Sequence, residues 1–474
     1  MDIFKIIQGG MGVAISDWNL ARAVSMKDQL GVVSGTGIAS VLVSRLRNGD
    51  LGDHMRRALS NFPFQDSIQR IMDRYYNSDD LDENSGNGNI PMWSLNPSSA
   101  IQELTVVANF VEVFLAREKH DGAIGLNLLE KVQMPTMASL YGAMLAGVTF
   151  VIMGAGIPTQ VPGILDDLVN HQPVSYRLDV RDADAADDFR LFFDPQQTFP
   201  GISQQLGSLQ RPYFLPIISS NALAKAMLKR ASGKVDGFII EAPIAGGHNA
   251  PPRGVQQLNE QGEPIYGVKD QVNLEQIAKL GLPFWLAGGY DSPEQIQFAL
   301  DAGAAGVQVG TAFAFSNESG LESTVKQQII DQVVEGTIKV RTDPDISPTG
   351  FPFKVTQLTG TLSDAELFNK RKRLCNIGFL RQLYKSESGK VIFRCAAEPV
   401  DQFVAKGGVE EDTIGKGCLC NNLLATAGYP QPRKDQVQEL PLVTAGDSLP
   451  HIAKYLKAGQ RTYSAEDVLD YLLS

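Results

Sequence analysis

Cysteine is scarce in this chain: Cys375, Cys395, Cys418 and Cys420 are the only four among 474 residues. No thiol precedes Cys375, so the larger part of the protein has neither a cysteine nucleophile nor a disulfide brace. Apolar runs are short as well, none reaching the roughly 18 residues of a membrane span. The opening Met1-Asp-Ile-Phe-Lys-Ile-Ile-Gln8 lacks the basic, apolar and small-residue succession of a signal peptide. The expectation is a cytoplasmic protein with no membrane partner. Basic clusters are missing too: the net charge is -11, and no Lys/Arg run is long enough to track a phosphate backbone, which argues against nucleic acid. Histidine is limited to five, of which His54, His120, His171 and His451 fall on insertion, helix-end or tail positions and are read as structural or solvated.

What is present is alternation. Short apolar or β-branched runs at 4–8, 31–34, 123–128, 150–154, 213–219, 237–241, 283–287 and 306–309 are separated by helical patterns. Eight such strand-helix units predict an α/β fold, a (β/α)8 TIM barrel rather than an open sheet. Helices are expected at 17–26 behind a Ser16 cap, 140–146, 221–229, and 293–301 with Ser292 as N-cap. Two segments do not fit barrel units and are read as insertions: about 47–97, which includes the polar loop 78–89, and 172–210, an added hairpin. The barrel is therefore placed at 1–340 and a C-terminal extension, beginning around Ser347-Pro-Thr-Gly-Phe-Pro352, at 341–474.

A barrel places functional residues after its strands and phosphate after strands seven and eight. Strand seven ends in Gly288-Gly289 and strand eight in Gly310-Thr311, which offer open N–H groups and a hydroxyl to an anion. Strand one ends in Gln8-Gly9-Gly10-Met11-Gly12, strand three carries Asn127, and strand four runs into Gly154-Ala-Gly156. Bare backbone of this kind admits a flat ring such as a flavin. Strand six leads into Ala245-Gly246-Gly247-His248, where an imidazole beside two glycines is placed as a catalytic base. No Gly-x-Gly-x-x-Gly follows a strand, which favours FMN over FAD.

Gln8 to Gly12, Gly31 to Gly35, Gly125 to Asn127, Gly154 to Pro158, Ala245 to His248, Ala287 to Gly289 and Gln308 to Thr311, in this order, resemble the nitronate monooxygenases, formerly called 2-nitropropane dioxygenases. The resemblance implies an FMN-dependent flavoprotein oxidoreductase. FMN phosphate would lie at Gly288, Gly289, Gly310 and Thr311, with Gln8, Gly9, Gly10, Met11, Gly12, Asn127, Gly154 and Gly247 around the cofactor. It also implies that His248 serves as base in the oxidation of alkyl nitronates by O2. Flavin-dependent enoyl-thioester reductases, which use NAD(P)H, share the scaffold and are the alternative reading. A non-catalytic flavin- or partner-binding barrel is a third. A barrel like the inosine monophosphate dehydrogenases is set aside, because it needs a thiol on a barrel loop.

The grouping of Cys375, Cys395, Cys418 and Cys420 in one tail segment leaves three uses open: a zinc or iron-sulfur site, buried structural thiols, or redox chemistry. The Cys418-Leu-Cys420 spacing is tighter than the usual Cys-x-x-Cys.

Overall fold

The structure, a computed structural model, describes residues 1–76, 90–431 and 438–474. Its centre is a TIM barrel. Eight parallel strands run in the spatial order of the chain: Ile6–Gln8, Gly31–Ser34, Ile124–Leu129, Phe150–Gly154, Tyr213–Ile218, Phe238–Glu241, Phe284–Ala287 and Gly306–Val309. The last strand pairs with the first through Ile6↔Val307. The first closes on the second, where Gln8 N–H donates to the Leu30 carbonyl at 2.9 Å.

Strand periodicity sorts the apolar residues into two cores. Ile7, Val32, Phe150, Ile152, Leu215, Ile239 and Trp285 fill the barrel interior. Their neighbours Ile6, Val33, Val151, Phe214, Phe238 and Phe284 face outward, into the layer shared with the helices. Trp285 sits fully buried because its indole N–H finds the Phe4 carbonyl at 2.8 Å.

The helix Pro293–Asp301 begins as expected behind Ser292, whose hydroxyl accepts from Gln295 N–H. The first helix, Trp18–Ser25, is capped differently from the expectation. Asp17, not Ser16, accepts from the Asn19 and Leu20 N–H groups, because the Ser16 hydroxyl is taken by Met11 N–H at 2.7 Å. One described helix, Ser99–Arg117, is long and apolar enough by length and composition to cross a membrane, and it lies mostly buried, packed on Thr136–Leu145.

The 47–97 segment forms the helices His54–Leu59 and Gln65–Tyr75, while the expected loop 78–89 lies outside the described residues. The 172–210 segment does form a hairpin, Val174–Arg177 against Arg190–Phe193. A feature not anticipated is that Val180–Arg181 also pairs with Gln382–Lys385, which in turn pairs with Val391–Arg394, so this segment and the C-terminal region share one sheet.

A buried ionic network ties the C-terminal region to the first helical layer. Arg45 pairs with Asp17 at 3.1 Å and with Glu112, and its Nε donates to the Tyr429 hydroxyl at 2.9 Å. All three charged side chains are largely excluded from solvent. Removing Arg45 leaves the Asp17 and Glu112 carboxyls confronting each other in a low dielectric. Arg45→Met is expected to lower the unfolding free energy by about 3–5 kcal/mol. Urea titration measures this, and adding Asp17→Asn and Glu112→Gln should restore part of the loss.

Candidate active site at the barrel mouth

The C-terminal ends of the strands open on one large cavity. Gly9, Gly10, Met11, Gly12, Asn127, Gly154, Gly247, His248, Gly288, Gly289, Gly310 and Thr311 all line it. Gln8 does not. Its amide is fully buried within the barrel wall, donating to the Gly9 carbonyl while its Oε1 accepts from Val32 N–H at 3.0 Å. Gln8 thus ties the first two strands together instead of facing a ligand.

Backbone closeness accounts for two of the glycines. A Cβ at Gly10 would lie 2.1 Å from the Asn127 Cβ, so only glycine lets the first loop pass over the third strand. There the Asn127 amide donates to the Gly10 carbonyl at 3.2 Å. Gly288 adopts φ +91°, a conformation that turns the chain sharply after strand seven and that other residues rarely take.

His248 is part of the cavity wall and is anchored from the C-terminal region. Its Nε2 lies 2.8 Å from the Ser347 hydroxyl, and its ring meets Phe353 edge-on, with ring centres 4.8 Å apart. Ser347 is itself fully buried and paired with the Thr349 hydroxyl at 2.8 Å. Burial, with a smaller contribution from the Lys131 ammonium, pushes the imidazole down to about 4, so it is neutral at physiological pH. Lys131 is held over the Phe351 ring at 4.0 Å.

Several functional residues escaped sequence reading. Glu241, the last residue of strand six, lines the cavity, and burial raises its carboxyl to about 7. Gln308 places a buried Oε1 with no hydrogen-bond partner at the same wall. The segment 443–448 crosses the mouth: Gly446 N–H donates to the Thr311 hydroxyl oxygen at 2.9 Å, and Gly247 N–H donates to the Thr444 hydroxyl at 2.8 Å. Position at the C-terminal end of a barrel strand marks Glu241. Ser347 and Gly446 carry no local signal, since each acts through a residue about a hundred or more positions away.

The four cysteines converge around a second, much smaller cavity. Yet among the described residues no group of three or more His, Cys, Asp or Glu side chains is placed to hold a metal ion. All four thiols line this small cavity, and Cys420 also faces the main cavity. The zinc or iron-sulfur expectation therefore finds no support.

Residues 207–345 match the nitronate monooxygenase family model. This stretch contains strands five to eight and the His248 loop. The chain is related to the nitronate monooxygenases. A nitronate monooxygenase of Pseudomonas aeruginosa is 31% identical over 125 residues, 26% of this chain and 34% of that protein. A (3aS,4S,5R,7aS)-5-hydroxy-7a-methyl-1-oxo-octahydro-1H-indene-4-carboxyl-CoA dehydrogenase of Mycobacterium tuberculosis is 27% identical over 215 residues, 43% of this chain and 57% of that protein. The chain thus spans little more than half the length of one of these relatives and about a third of the other. Among solved structures, FabK from Thermotoga maritima superposes with a TM-score of 0.45 at 16% identity, covering 99% of this chain and 92% of that one.

The electrostatic origin of the neutral His248 is open to direct test. In Lys131→Met, loss of the ammonium should move the His248 titration upward from about 4. Histidine NMR titration reads this, and an unchanged midpoint would assign the whole depression to burial.

Proposed function

We propose that this chain is an FMN-dependent oxidoreductase that oxidises alkyl nitronates with O2, with His248 as the proton-accepting base. The observation that carries the reading is a half-buried, neutral imidazole in the wall of a cavity whose floor is bare glycine backbone. The residues fit FMN. The close pass at Gly10 and the left-handed turn at Gly288 keep side chains out of the space, and the unpartnered Gln308 Oε1 seeks a donor such as a flavin ring N–H. Gly288, Gly289, Gly310 and Thr311 would hold the phosphate; Gly9, Gly10, Met11, Gly12, Asn127, Gly154 and Gly247 would enclose the rest. Because the Thr311 oxygen already accepts from Gly446, its own O–H remains to donate to an anion. When bound, FMN supplies an electron acceptor that can be reoxidised by O2.

The protein residues handle the proton. With Nε2–H donated to Ser347, Nδ1 keeps its lone pair and can take the acidic proton on the carbon beside a nitro group. Ser347 and Phe353 hold the ring so that this lone pair is presented in one orientation. Partial burial keeps the imidazole neutral and so ready to accept a proton.

One observation favours a second reading, NAD(P)H-linked reduction of an enoyl thioester. Such a reaction needs a proton donor, which an imidazole titrating near 4 is not, whereas the Glu241 carboxyl, raised to about 7, keeps its proton in about half of the molecules at neutral pH. The similarity to a protein named as a carboxyl-CoA dehydrogenase points the same way.

The purified protein is expected to release FMN on heating, identified by mass. His248→Ala should keep FMN and lose nitronate turnover by about 10²- to 10⁴-fold. In the parent, kcat/KM should be flat at neutral pH and fall as pH drops through about 4, where the base becomes protonated. Normal turnover in His248→Ala, or rapid bleaching by a nicotinamide with loss of enoyl reduction in Glu241→Gln, would replace this reading with the second.

A further inference from the structure

The four cysteines come from three separate stretches of a region with little regular structure, yet they meet around one small cavity together with Leu380, Arg381, Ala397 and Leu419. All four are free thiols. They are not equivalent. Cys418 accepts a hydrogen bond from the Asn421 amide at 3.3 Å, and Cys420, half-buried like Cys375, lies between the small cavity and the main one; burial pushes the Cys418 and Cys420 thiols up, which leaves them poorly reactive. Cys375 is partly exposed and packs in one cluster with the buried Cys395. The Arg381 guanidinium and Lys406 ammonium favour a Cys375 thiolate, against the opposing charge of Glu398. The neighbouring Cys395 thiol is the strongest influence and draws the Cys375 thiol down, while Cys375 raises that of Cys395. A thiol inclined to ionise and a second, buried thiol thus share one small cavity.

We propose that Cys375 and Cys395 form a dithiol that a hydroperoxide oxidises to a disulfide, an oxidative-modification site distinct from the barrel-mouth chemistry and independent of the flavin reading. The Cys375 thiolate attacks the terminal oxygen of the hydroperoxide, forming an S–O bond as the O–O bond breaks. With hydrogen peroxide the departing hydroxide takes a proton and leaves as water, and Cys375 becomes a sulfenic acid. The Cys395 sulfur then attacks the Cys375 sulfur; the S–S bond forms, the S–O bond breaks, and the Cys395 proton leaves with the hydroxyl as a second water. Two thiols lose two electrons and one hydroperoxide gains them. Leu380, Leu419 and Cys420 line both this cavity and the main one, so the new bond forms directly behind the main cavity's wall.

The test uses the reduced full-length protein and one equivalent of hydrogen peroxide, followed by alkylation and peptide mapping. The expected product is a single Cys375–Cys395 disulfide reversed by dithiothreitol, with Cys418 and Cys420 still alkylated and one peroxide consumed per disulfide. Cys395→Ser should leave Cys375 trappable as a dimedone adduct, and Cys375→Ser should slow peroxide consumption at least tenfold. The parent map alone can overturn the proposal without any variant. Oxidation starting at Cys418 or Cys420, no oxidation at all, or stoichiometric zinc or iron that shields all four thiols would each do so.

Discussion

The His248 loop is held by backbone pairing with the strand Phe353–Gln357, and the site depends on that pairing. Asn249 N–H donates to the Pro352 carbonyl and Lys354 N–H to the Gly247 carbonyl, both at 2.9 Å, so the loop after strand six acquires a partner strand outside the barrel. Two glycines beside a histidine would otherwise form a mobile turn. Pairing turns it into a fixed wall, and Ser347, only a few residues before this strand, meets the imidazole. The same C-terminal region returns at 443–448, where Thr356 N–H donates to the Val443 carbonyl, and carries Gly446 to Thr311. The mouth of the barrel is thus lined by late sequence from several separate pieces, among them Phe353, Leu380, Leu419 and 443–446.

This enclosure sets the electrostatics. Removing water from the mouth disfavours charge on every group that faces it, and the outcome depends on the sign of that charge. His248 is held neutral, and the Glu241 carboxyl is brought close to half-protonation near neutrality. The two directions have one cause, the burial supplied by the C-terminal region together with the barrel loops. The Lys131 ammonium reinforces the effect at His248 by like-charge repulsion.

The barrel strands were legible because each is a short buried run flanked by turn residues, and the structure shifts their ends by only one or two positions, as at Ile6–Gln8 and Ile124–Leu129. The glycine turns and His248 were legible because a barrel places such residues after strands. Gln8 shared the motif but not the role, since its side chain points back into the wall and satisfies both of its amide ends there. The Asp17 cap was misread as Ser16 because adjacent residues compete for the same role, and a contact to Met11 decided between them. Ser347, Gly446 and the pairing of Val180–Arg181 with Gln382–Lys385 depend on long-range closure, which leaves no periodic trace in the chain.

The central claim is that the barrel mouth and the C-terminal region form one cooperative unit around the ligand. Amide hydrogen exchange, followed with and without added FMN, tests it most directly. The account predicts that Gly247, Asn249, Lys354 and Gly446 exchange at a common slow rate, and that FMN slows all four together. Rapid exchange at Lys354 and Gly446 that FMN leaves unchanged, while the barrel glycine loops become protected, would contradict it.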